Sequence, residues 1–386
     1  MNRSVDDDLY INLHSTIADI PADEWDGLNI AGYPFASHAF LSALEASGSV
    51  GGDTGWQPLY ICLRRGKDSP CLGAIPAYLK YHSYGEYVFD HSWAHAYAQA
   101  GGQYYPKLLS AIPFTPVPGP RLLYRPENAG LANHLIAAFQ QIVRNHELSS
   151  AHINFITEAE KDNLADAGWL IRKGLQFHWH NQNYKSFDDF LASLSSRKRK
   201  NIRKERQSLA TEGIAFHALT GTDIQPEDWD DFYRFYLATI DKKWGGAYLT
   251  RDFFSRIAES MADNILLVMA SQNGEKIAGA LNFIGQDTLF GRNWGCIRDY
   301  PNLHFETCYY QALEFAISRG LKKVEAGAQG FHKVQRGYLP VYTYSAHWLP
   351  DEGFSRAVSR FLRQEHHAIE EERQAIQAAS PYRRSV

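Results

Sequence analysis

Cysteine is scarce in this 386-residue chain: Cys62, Cys71, Cys296 and Cys308 form no CxxC pair and no dense framework. That excludes a disulfide-stapled scaffold and predicts a reduced, cytoplasmic setting. Cysteine and histidine pairs at metal-ligand spacing are missing too, so neither a metal nor a redox cofactor is expected. No apolar run is long enough to span a bilayer. Met1 to Asp8 carries three aspartates and one arginine, the reverse of the basic start of a signal peptide. Nor does one sign of charge dominate. The 39 Lys and Arg face 43 Asp and Glu, a net charge of −4, which excludes a surface given over wholly to nucleic acid but not a local basic patch.

What is plentiful is aromatic side chains, 13% of residues, many of them Tyr and Trp, which suit pockets with one greasy and one wet side. The length suffices for two cores, since one core rarely grows past about 250–300 residues. Two stretches repeat one order of elements. In the second, an apolar run at Asn264–Ala270 meets Gln272-Asn273-Gly274-Glu275, a strong hairpin signal. Strands at Lys276–Ile284 and Thr288–Gly295 follow, then a helix at Phe305–Arg319 closed by Gly320, then a strand at Lys322–Ala326. The first stretch repeats this more loosely: strands at Trp56–Leu63, Cys71–Lys80 and Glu86–Asp90, a helix at Pro126–Asn145, and a strand at Ala151–Ile156. Pro76 demotes its strand to an edge or bulged position.

Helices are further expected at Ser37–Glu45, Asp228–Thr239, Arg251–Met261 and Gly353–Ala379, with Ser37 and Thr250 as N-caps. An antiparallel meander, a helix and a returning strand form the core order of the GNAT acyltransferase fold. The expected architecture is therefore α+β, in α/β/α layers. It has two tandem GNAT-like units with mixed, mainly antiparallel sheets, spanning residues 1–184 and 185–350, and a helical tail at 351–386.

Several segments carry chemistry. Residues 197–206 hold seven cations (Arg197, Lys198, Arg199, Lys200, Arg203, Lys204, Arg206) against Glu205 alone. Such a run repels itself unless an anion is near, so it reads either as a solvated face or as a phosphate contact. Arg199 and Arg203 share a face at i, i+4, and Lys200 and Lys204 form the adjacent row. His332, Lys333 and Arg336 lie in a turn flanked by Gly327, Gly330 and Gly337. There a lysine can stabilise an oxyanion and a histidine can act as base, the alternative being a structural turn with exposed cations. Glu306 shares a helical face with Tyr310, and Glu325 ends the closing strand. Each carboxylate is a candidate base, or else a salt bridge or cap. Trp93 and His91 read as a pocket wall, and Lys242-Lys243-Trp244-Gly245-Gly246 as an acceptor groove or a solvated helix end.

Three segments together resemble the FemAB-like family, associated with peptidoglycan biosynthesis or recognition. They are Tyr104-Tyr105-Pro106-Lys107-Leu108 running into 113–121, the basic stretch 196–205, and the run from 304–310 through 325–330 to 331–337. The resemblance implies transfer of an acyl or aminoacyl group to a primary amine; Lys107, inside the first of these segments, and Trp294 complete the substrate-binding candidates. Relatives in the wider group take aminoacyl-tRNA as donor and a peptidoglycan precursor as acceptor. Phe331 stands where an acidic residue often precedes the His-Lys pair. The loop Ile297–Leu303 lacks the glycines by which a CoA-using domain holds pyrophosphate.

The expected partners are an activated donor (acyl-CoA or aminoacyl-tRNA, hence a tRNA) and an amine-bearing acceptor. The base is Glu306, Glu325 or His332. Two other classes fit the same residues: a non-catalytic module that recognises peptidoglycan precursors, and a nucleic-acid-binding protein using residues 197–206.

Overall fold

The computed structural model describes residues 9–29, 31–241, 246–327 and 330–383. They form two compact units, Met1–Gly174 with Tyr342–Glu370, and Leu175–Val341 with Glu371–Val386. The division falls between Gly174 and Leu175, inside the regular strand Leu170–His180, ten residues before the join read near residue 184. The segment 351–386 is shared between the units instead of standing apart. No helix among the described residues is long and apolar enough to cross a membrane.

In the second unit the meander forms as the turn signals dictate. Ile214–Thr220, Ile265–Gln272, Glu275–Ile284 and Thr288–Cys296 pair antiparallel in that order. Asn273 and Gly274 take φ of 52° and 80°, left-handed values that these two residues tolerate at low cost. Lys323–Glu325 then pairs parallel to Thr288–Phe290 and antiparallel to His178–His180. The intervening helix is not uniform: Leu303–Phe305 is α-helical, Glu306–Tyr310 is a π segment, and Gln311–Ser318 is α-helical again. The wider turn of the π segment carries Tyr309 and Tyr310 inward together, and both are buried against Trp179, Phe190 and Leu313.

The first unit repeats this pattern. Trp56–Pro58, Tyr78–Lys80 and Lys107–Ser110 pair antiparallel, Ala151–Ile156 runs parallel to Lys107–Ser110, and Tyr344–Trp348 pairs antiparallel with Ala151–Ile156. A second sheet joins Leu9–His14, Tyr60–Arg65, Cys71–Ile75 and Leu123–Tyr124. The helix Leu131–Asn145 presents Leu135, Phe139 and Ile142 to Ile61, Ile75, Leu108 and Ile153. Burying a side chain such as Phe139 is worth about 1.5–3 kcal/mol.

Two expectations for this unit need correction. The runs 56–63 and 71–80 each break into two strands serving different sheets, the second at Pro76. Residues 86–90 are not a strand. The third position is taken by Lys107–Ser110, and His91–Gln99 is a helix. Period-2 reading missed this because Glu86 and Asp90 turn inward to meet a lysine rather than outward to water. Elsewhere the caps form as expected: the Ser37 and Thr250 side chains accept from the amides of Phe40 and Phe253.

Candidate active site

The parallel pair in the second unit holds for three residues, Thr288–Phe290 against Lys323–Glu325. Beyond it the strand continues to Cys296, while its neighbour ends at Glu325 and the chain turns away through Gly327. The parallel pairing thus stops while one strand runs on. Trp294 stands half-buried on the longer strand with its ring 5.1 Å from His304.

From His304 a cluster of rings extends: Tyr309 at 5.3 Å, His332 at 5.8 Å, and Phe305 packed 5.5 Å from His332. Phe331–Arg336 is a 3-10 turn and supplies the polar groups. His332 is exposed, and its Nε2 lies 2.8 Å from the Tyr309 hydroxyl. Partial burial, then the charges of Lys333 and Arg336, lower its pKa, so the ring is neutral at neutral pH.

Lys333, the next residue, is buried instead. It is 2% exposed, and its Nζ donates to the Gly327 carbonyl at 2.8 Å. Burial brings its pKa down to about 8, and no carboxylate pairs with it among the described residues. Arg336 is buried as well, but its charge is matched. Its guanidinium lies 3.4 Å over the Phe305 ring and donates to both Glu205 oxygens at 3.0 and 2.9 Å. The Tyr310 hydroxyl donates to the same carboxylate. The structure therefore brings Trp294, His332, Lys333, Arg336 and Tyr310 together.

Both candidate carboxylates are engaged elsewhere. Glu306 accepts from Arg206 Nε at 3.1 Å and from Gln311 at 2.8 Å, while Arg206 also holds Glu314. Burial raises the Glu306 pKa and Arg206 opposes the rise. Glu325 is buried beside Lys323, 2.7 Å away, and His178, 3.8 Å away. The ion-pair alternative foreseen for such carboxylates is the geometry found, which leaves His332 as the base candidate with open access.

Sequence reasoning missed Tyr309, His304 and Glu205. The signal for Glu205 was present: one acid amid seven cations marks a position with a specific partner.

The basic stretch lies in the helix Ser196–Thr211. Arg206 is spent on Glu306 and Glu314, and Arg203 meets Asp188 at 2.9 Å on the surface. Arg197, Lys198, Arg199, Lys200 and Lys204 pair with no carboxylate among the described residues. Arg199 reaches the Ala192 carbonyl at 3.4 Å. In the loop after the meander, Arg298 is taken up by Glu275.

The remaining candidates lie in the first unit. Lys107 is fully buried, donating to Glu86 at 2.8 Å, to Ser83 at 2.9 Å and to Asp90. Burial works against its charge, but Glu86 and Asp90 outweigh that and hold its pKa above the usual lysine value. With both carboxylates upon it, Lys107 serves as a structural anchor rather than as a free cation. Trp93 is buried against His347, and His91 is exposed beside Phe89. Of the groove read at 242–246, residues 242–245 lie outside the described residues.

The profile of the FemAB-like family, described as peptidoglycan biosynthesis/recognition, matches residues 16–384. No curated protein matches by sequence. Among solved structures, FemX is 12% identical with a TM-score of 0.55, covering 88% of this chain and 98% of its own. L-PGS from Bacillus licheniformis is 12% identical with a TM-score of 0.48, covering 74% and 86%. A tandem GNAT protein from the clavulanic acid biosynthesis pathway is 11% identical with a TM-score of 0.43, covering 88% and 98%. The likeness to FemX bears on the fold, and with the repeated strand order of the two units it shows tandem GNAT-like architecture.

Proposed function

The chain belongs to the FemAB-like family, and from that premise we propose that it is an N-acyltransferase acting on a primary amine of a peptidoglycan precursor. The observation that carries this reading is the second unit's short parallel strand pair, beyond which one strand runs on alone. Past its end stand a buried lysine without a carboxylate partner and an accessible neutral histidine.

The chemistry follows from those groups. In the tautomer whose Nε2–H donates to the Tyr309 oxygen, His332 Nδ1 accepts a proton from the acceptor amine. The amine nitrogen bonds to the donor's acyl carbon, and the oxyanion so formed is offset by the Lys333 ammonium. Collapse breaks the bond to the leaving group, an ester oxygen or a thiolate, which takes the proton back from His332. Holding the two substrates in register supplies much of the acceleration.

The donor is aminoacyl-tRNA or acyl-CoA. The five cations without carboxylate partners on the basic helix favour the polyanionic tRNA, as does the pairing of Arg298 with Glu275 where CoA phosphates would need a free cation.

The test is to incubate the protein with an amine-bearing precursor and either donor, and to follow the precursor by mass spectrometry. Addition of the acyl mass, dependent on donor and protein, is expected. Saturable precursor binding with no transfer from either donor would refute the enzyme reading in favour of recognition.

A further inference from the structure

A cavity of about 610 Å³ lies in the first unit between the helix His91–Gln99 and the early turns of the helix Glu352–Ala378. Its size falls within the range of small-molecule pockets, roughly 300–1,000 Å³. The sequence builds it by alternating small and large residues. Ala96, Ala100 and Ala357 keep the helix surfaces low, while Trp93, Tyr97 and Phe354 raise apolar walls around the hollow. Gly102 belongs to the same design, since a Cβ there would strike the Tyr97 ring at 2.5 Å and push it out of the wall. No lysine or arginine lines the cavity, and its one carboxylate, Asp351, caps the helix by accepting from the Phe354 amide at 2.7 Å, so the wall that remains is mainly apolar.

Beside this cavity the loop 81–91 is built inside out. Ser83, Glu86 and Asp90 face inward and bind Lys107, while Tyr84 and Phe89 stand 62% and 57% exposed. Loop and cavity are one assembly. Arg172 donates to the Phe89 carbonyl at 2.7 Å and lies 5.1 Å over the Trp93 ring. Phe361, itself part of the cavity lining and 39% exposed, meets Trp93 edge-on.

Part of the charge around the rim is paired. Glu365 accepts from Arg172 at 2.8 and 2.6 Å, and the loop's two acids are buried on lysine. Exposed Tyr and Phe rings are costly in water and settle at the polar–apolar boundary of a bilayer.

We propose that the first unit binds lipid, with one alkyl chain held in the cavity and the rings of Tyr84, Phe89 and Phe361 resting at the surface of the bilayer that supplies it. This site is independent of the transfer reaction and needs no donor or acceptor to be detected.

The experiment uses the full chain, with lysophosphatidylcholine as a single-chain probe by calorimetry and phosphatidylcholine vesicles by co-sedimentation. Saturable binding to both is expected. Ala357→Phe, which fills the slot, should weaken the single-chain probe at least about tenfold, the effect of excluding two methylenes from burial. Tyr84→Ser with Phe89→Ser should weaken vesicle binding by a similar factor while the single-chain probe still binds. Should Ala357→Phe melt early, Ala96→Leu tests the slot from the facing helix. Wild-type protein that ignores both probes overturns the proposal and leaves the aromatic rim to a protein partner. Full-strength binding of the single-chain probe by a folded, slot-filled variant overturns it as well.

Discussion

Lys107→Met removes the ammonium that bonds both Glu86 and Asp90 in the first unit while keeping a side chain of similar length. All three residues are 3% exposed or less, so water cannot replace the lost partner. Breaking a buried pair by deleting one member costs about 3–5 kcal/mol, because the other charge stays behind. With a urea m-value of about 3 kcal/mol/M, the midpoint should fall by about 1–2 M.

The loss should also depend on pH. Burial holds the Glu86 pKa up to about 7, even though Lys107 and Lys80 pull it down, so without Lys107 it rises further. A carboxyl whose folded pKa is raised contributes stability below its unfolded pKa, near 4.5, and loses that contribution as pH rises through the folded value. The variant's deficit should therefore be smaller at pH 5.5 than at pH 8. Urea titrations followed by circular dichroism at the two pH values measure both effects. An unshifted midpoint, or a deficit that does not change with pH, would refute a desolvated ion cluster at the base of this unit.

Two other perturbations address the second unit. Glu205→Gln should cost about 2 kcal/mol in chemical denaturation by stranding Arg336, less than a fully buried pair because Glu205 is 23% exposed. Arg199→Ala with Lys200→Ala should leave the melting temperature unchanged and lower the salt slope of single-stranded RNA binding by about 1–2, if each side chain meets a phosphate.

The meander of the second unit was legible because its punctuation is local. Asn273-Gly274, Gly285-Gln286-Asp287 and Gly320 fix turns and a helix end without help from distant residues. The first unit was read less well where its turns depend on tertiary partners. Residues 81–90 make sense only once Lys107 is known to lie beneath them, and Lys107 looks like a surface residue until its two carboxylates are seen.

The same limit applied to the site. Gly-flanked His332, Lys333 and Arg336 were visible as a functional turn. Only the fold shows that Arg206 consumes Glu306, that Lys323 and His178 flank Glu325, and that Tyr309 meets His332. The π segment that turns Tyr309 and Tyr310 inward together has no period that a 3.6-residue reading detects.

The most direct test of the central claim is the kinetics of Lys333→Ala against wild type, with the donor that supports transfer. A buried ammonium that offsets the oxyanion acts in the transition state, so kcat should fall on the order of 10²-fold or more with KM little changed. Lys333→Arg should restore part of the loss, since a guanidinium places its charge differently. Because burial sets the Lys333 pKa at about 8, the ammonium is lost as pH rises through that value, and wild-type kcat should decline above about pH 8. That alkaline limb should vanish in Lys333→Ala. A variant with unchanged kcat and the same alkaline limb would contradict the account, and so would a rise in KM alone, which would make Lys333 an anchor for the donor instead.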